Sequence, residues 1–249
     1  MTWAQVGWMI IALAGILLLG FSLIFKGQGR YPVRKIQAVE TLLDQRVIAL
    51  ERGQSRQVVL GDRFWNRAYP GLGLHALSVL PDMVSPEEMS DGRQALSSGT
   101  GELVLFARQV VRGGYQDGFS VGLEQSPRPL QLPGPTPLSF LAGLLTEINL
   151  HSPGSLSLFG SFGQSAPLWA EAAYVRGGHV FAAAGSISAQ AALFMNVRDL
   201  LIGEEVFMLP GLIEPTPSNQ AGWISEDILR VLLIVLILVA AVMKMMGVL

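Results

Sequence analysis

Two short glycine–serine turns are the stretches of this chain best suited to hold a ligand. Gly160-Ser161-Phe162-Gly163 and Gly185-Ser186 each follow a short apolar run and open a helical pattern. Backbone N–H groups exposed at such a strand-to-helix turn suit an anion, and small residues let it approach. Gly160, Ser161, Gly163, Gly185 and Ser186 are therefore the candidate ligand-binding residues, for a phosphate-bearing or other anionic small molecule. Small residues with capping hydroxyls also make tight turns without a ligand, and this structural role is the preferred reading. Farther on, Gly203-Glu204-Glu205 sets two carboxylates at the end of another short apolar run. Glu204 and Glu205 are candidate acid/base groups or metal ligands; in a first helical turn they also meet the positive end of the helix dipole, which is the simpler role.

The remaining inventory excludes much. Lysine occurs only at positions 26, 35 and 244, on or beside the apolar segments at the chain ends, so the core of the central domain has no nucleophile for Schiff-base chemistry and no Walker A loop exists. His75, His151 and His179 show no ligand-pair spacing, and with no cysteine in the chain neither a metal nor a cofactor is expected. Gly71-Leu72-Gly73-Leu74-His75-Ala76 carries the letters G-x-G-x-x-A. Tyr69-Pro70 separate it from the preceding strand, so it reads as a tight helix start rather than a dinucleotide site. A net charge of -2 without a basic run gives no footprint for nucleic acid.

The elements that would position these residues follow from the hydrophobic pattern. Strands are expected at 57–60, 93–97, 155–159, 179–184 and 199–202. Helices are expected at 35–52, 102–112, 138–150, 165–175, 188–196 and 204–209. Short apolar strands alternating with helices indicate an α/β fold, a three-layer domain with a mostly parallel, Rossmann-like sheet. Between positions 126 and 137 stand five prolines, which exclude a helix or central strand and leave an extended loop or a partner-binding arm.

With 50% hydrophobic and 14% charged residues over 249 positions, the chain is too apolar for one ordinary soluble domain. The excess lies at its ends. Residues 1–25 carry no charge before Lys26, long enough to cross a bilayer core, and Lys26, Arg30, Arg34 and Lys35 form a basic flank behind them. The expected organisation is a transmembrane helix over 1–26, a domain over 27–213, a linker over 214–224 and a second transmembrane helix over 225–249. Positive charge favours the cytoplasmic side, which places the domain in the cytoplasm and both termini outside.

Arg34-Lys35-Ile36-Gln37-Ala38-Val39-Glu40 after the first apolar segment, and Leu201-Ile202-Gly203-Glu204-Glu205-Val206-Phe207 before the second, carry a likeness. The chain resembles a family of uncharacterised bacterial and archaeal membrane proteins, known as a domain of unknown function with a helix at each end. The resemblance implies an α/β domain between two membrane helices and assigns no chemistry to any residue. The expected function is a non-enzymatic scaffold or accessory subunit in contact with the lipid bilayer, associating with itself or other membrane proteins. The alternative is a ligand-sensing domain that uses the glycine–serine turns.

Overall fold

The structure is a computed structural model and describes residues 15–16, 20, 35–62, 71–84, 93–113, 130–214 and 216–245. The chain divides into two compact units, Lys35–Leu209 and the chain ends, Met1–Arg34 with Pro210–Leu249.

The first unit is an α/β domain. Its strands are β1 (Arg56–Leu60), β2 (Gln94–Ser98), β3 (Ser155–Gly160), β4 (His179–Ala184) and β5 (Asp199–Leu201), in one parallel sheet of order β2-β1-β3-β4-β5. The chain steps outward from β1 to β2, returns past β1 to β3, then continues the other way. With right-handed crossovers this reversal puts helices on both faces. Helices α1 (Gln37–Glu51), α2 (Leu72–Met83) and α3 (Gly101–Gly113) cover one face; α4 (Pro137–His151), α5 (Ala166–Val175) and α6 (Ile187–Leu193) cover the other. The strands are buried almost without interruption, as expected of a sheet covered twice.

Strand alternation sorts the core. Val59, Leu156, Leu158, Val180 and Ala182 meet Phe140, Leu144, Trp169 and Leu193 of the second helical layer. There the Trp169 ring takes Phe140 and Phe162 edge-on, at 5.1 and 6.0 Å between centroids. Such pairs add about 0.5–1.5 kcal/mol each beyond area burial. On the opposite face Phe159 and Phe181 meet at 5.7 Å.

Proline proves to start helices as well as to prevent them. Thr136 caps α4 through a reciprocal box with Ser139, and Pro137 occupies the first turn, where its missing N–H costs nothing. The Thr216-Pro217 pair repeats the device: Asn219 N–H donates to Thr216 Oγ1 at 3.3 Å, and α8 runs from Pro217 to Met245. Most of the stretch expected as a linker is therefore helical, and the helix expected from position 225 begins at Pro217. Before it, α7 (Glu205–Ile213) continues through Pro210.

Upstream of α4, Gln131 pairs with the outer edge of β2. Its N–H donates to Leu96 O at 2.8 Å and its carbonyl accepts from Ser98 N–H at 3.1 Å. The described end of the proline-rich segment is thus a strap along the sheet edge.

Residues 1–26, expected as the first span, lie outside the described residues apart from positions 15, 16 and 20. Among the described residues no helix is long and apolar enough to cross a membrane; the side chains of 235, 236 and 238–243 in α8 lie outside that set. Those described on α8 include Val231, Leu232, Leu233, Ile234 and Ile237, all exposed. Arg230 pairs one turn back with Glu226 at 2.7 Å.

Candidate functional site

In a parallel sheet of this order the winding reverses between β1 and β3, and the crevice beyond their carboxyl ends is the usual place for a ligand. Gly61-Asp62 and Gly160-Ser161 border it. Gly61 N–H donates to Phe159 O at 2.9 Å and Asp62 N–H to Ser161 O at 2.7 Å, so the ladder continues past the strand ends. A Cβ on Gly61 would meet Ser161 O and lie 2.6 Å from Ser161 N, an approach that glycine alone permits.

The neighbouring loops are joined in the same way. Gly99 N–H donates to Gly61 O at 3.3 Å, and Gly185 N–H to Gly160 O at 3.0 Å. Gln190, a buried polar residue of α6, donates from Nε2 to Ala184 O at 2.7 Å and accepts from Gly203 N–H at 3.2 Å, joining the ends of β4 and β5. Leu72, in the first turn of α2, fills the space that a side chain at Gly185 would need.

The candidates Gly160, Ser161, Gly163, Gly185 and Ser186 are brought together here, in structural roles. Ser186 Oγ donates to Phe162 O at 2.8 Å and accepts from Ala189 N–H at 3.2 Å, capping α6. Ser161 is buried. The Asp62 carboxylate lies 3.6 Å from the Cβ position of Gly163, an unfavourable neighbour for an anion. Glu204 and Glu205 stand apart at the start of α7, beyond Gly203, which adopts φ +64°. Of the basic flank, Lys26, Arg30 and Arg34 lie outside the described residues, and Lys35 makes an exposed pair with Glu40 at 3.6 Å.

The glycine motif at 71–76 is the start of α2, as its spacing suggested. His75 is packed between α2 and α7, where its Nε2–H donates to Val206 O and its ring meets Phe207 at 5.4 Å. Burial holds its pKa below the ordinary histidine value, partly offset by the Val206 bond.

The amino end of the sheet differs. His179 and Asp199 are the first residues of β4 and β5; the register Phe181↔Asp199 places His179 two residues before Asp199's partner, a diagonal neighbour on the same face of the sheet. His179 Nε2–H donates to Asp199 Oδ2 at 2.7 Å. In the neutral ring this leaves Nδ1 as an acceptor. A cavity of about 560 Å³ opens there, lined among others by Thr41, Tyr174, Asn196 and Arg198 with this pair. Burial raises the Tyr174 pKa, a bond to the Arg198 main chain opposes it, and the Asp199 charge raises it further. Asn196 Nδ2 donates to Pro167 O at 3.0 Å. His179 Nδ1 and Asn196 Oδ1 are buried without a hydrogen-bond partner among the described residues.

Read singly, His179 is one histidine at a strand start. The signal that reveals the pair is the presence of two consecutive parallel strands whose first residues are histidine and aspartate. Among the described residues no cluster of three or more metal-ligating side chains occurs. Compared with protein-family models, curated proteins and solved structures, the chain matches none.

Proposed function

We propose that this chain is a membrane-anchored, non-enzymatic scaffold or accessory subunit whose α/β domain associates with copies of itself or with other membrane proteins. The observation that carries the reading is the apolar surface of the α5–α6 layer. Leu168, Val175, Ile187, Phe194 and Met195 are 52–88% exposed, with Met195 the most open. Covering each would contribute up to about 1.5–3 kcal/mol, which supports association through this layer. Anchoring is supported by the uncharged residues 1–25 and by the uncharged run 231–243 within α8. The flank Lys26, Arg30, Arg34 and Lys35 supports a cytoplasmic domain with both termini outside.

The test is the mass of the full chain purified in mild detergent, measured by light scattering. The expected result is a species larger than one copy, or a co-purifying membrane protein, dispersed by the double substitution Phe194→Glu with Met195→Glu. A monomer without partner overturns the reading. Because the chain has no cysteine, Glu171→Cys reports topology cleanly. An impermeant maleimide should label it only after the cells are lysed.

A further inference from the structure

We infer that the second helical layer, whose association reading this rests on, closes on a second copy of the chain with uptake of a proton shared by Glu171 of the two copies. Among the described residues of α4, α5 and α6, Glu171 is the only Asp, Glu, Lys or Arg exposed. It stands midway along α5, the helix that packs on both of the others. By contrast, α1 and α3 of the other layer expose Glu40, Asp44, Glu51, Glu102 and Arg108. The exposed surface matches itself under a two-fold axis laid across the helices. Leu168 and Val175 flank Glu171 on α5, and Ile187 and Phe194 flank Ala191 around α6. An axis near these midpoints reverses the second copy, which sets Leu168 beside its Val175 and Ile187 beside its Phe194, so the same patch serves both copies. Helices α4, α5 and α6 are about 22, 15 and 10 Å long and about 10 Å apart, a footprint of about 500 Å² on each copy and about 1,000 Å² for the pair, the lower bound of a specific interface.

The same axis brings Glu171 against its own image. Two facing carboxylates taken out of water cannot both stay ionised without a large cost, whereas one proton between them leaves a donor and an acceptor. The other titratable groups of the layer are engaged elsewhere. On α4, Glu147 and His151 pair with each other at 3.6 Å. On α5, Tyr174 bonds to the Arg198 main chain, and α6 carries no titratable residue. Arg176, just past α5, is bonded to Asn149 and Ser152, and Arg198, beyond α6, lines the cavity at the amino end of the sheet. Self-association therefore strengthens as pH falls.

The experiment is sedimentation equilibrium of the full chain in mild detergent at about pH 7.5 and about pH 5.5. The parent should form a dimer about tenfold or more tightly at the lower pH, and Glu171→Gln should form it equally well at both. His151→Gln should keep the pH dependence of the parent, which separates Glu171 from a histidine effect. Glu171 and His151 are exposed, so both variants should fold; a thermal melt checks this. Association of the parent with one affinity at both pH values overturns the shared proton and leaves the association reading standing. The same holds for a pH dependence that survives in Glu171→Gln, and for a single copy bound only to a different protein. A monomer without partner at either pH overturns both.

Discussion

At the carboxyl end of the sheet the loops are tied to one another, whereas at the amino end β4 and β5 begin beside a cavity. The two ends share strands and differ in how their polar groups are used. Gly61, Asp62, Gly99 and Gly185 all give their N–H groups to neighbouring carbonyls at the carboxyl end. The amino end is tied as well, with Gly154 N–H donating to Ser55 O at 2.8 Å and His179 N–H to Gly154 O at 2.9 Å, but it keeps two side-chain atoms, His179 Nδ1 and Asn196 Oδ1, buried without a partner among the described residues. Two histidines are used differently: His75 is half-buried against α7 with its Nε2–H bonded to Val206 O, and His179 lines the cavity with its carboxylate partner. The usual position for a ligand is therefore a statement about unoccupied backbone donors, and it lapses where packing uses them.

The comparison can be broken most directly with one substitution made at both ends. Gly61→Ala forces a Cβ into the Ser161 backbone and should cost about 3 kcal/mol or more, read from the urea midpoint. Gly177→Ala meets no atom within 4 Å and bears only the strain of φ +77°, about 1 kcal/mol. Equal losses would count against the close approach of the Gly61 and Ser161 backbones. Next in size is Ser186→Ala, which removes the α6 cap and the bond to Phe162 and should cost about 1–2 kcal/mol. A urea midpoint unchanged by this substitution would count against the cap and its bond to Phe162.

The smallest effect is on pH dependence. Because burial holds His75 below its unfolded value near 6.5, the unfolded chain takes up a proton that the folded chain refuses. The stability gained from neutral His75 is complete above that unfolded value. It is lost as pH falls below it, and the loss levels off once the folded value is passed. Urea midpoints between about pH 7.5 and 5.5 should fall more steeply for the parent than for His75→Gln. Parallel curves would count against desolvation of this ring.

The α/β alternation was legible because strands buried on both faces read as short apolar runs between turn formers. The expected strand 179–184 matches β4 at both ends, and the other four differ by a residue or so. The helix start at Pro217 was not, because proline excludes a helix interior yet suits its first turn, and only the Thr216 cap separates the cases. Gln190 and the His179–Asp199 pair were also hidden. Their roles depend on which strands are neighbours, and strand order is set by long-range packing rather than by any local spacing. The glycine–serine turns were correctly located after strands, but how closely Gly61 approaches Ser161 is a property of two segments a hundred residues apart.

The strap at Gln131 bears on how copies of the domain can meet. A bare outer strand is a template on which a second sheet can grow, and growth of that kind has no natural end. Gln131 occupies the pairing positions beside Leu96 and Ser98, and prolines nearby offer no N–H to extend the row. Addition of a further strand at that point of β2 is blocked, which leaves β5 as the outer strand whose far side pairs with no named strand among the described residues.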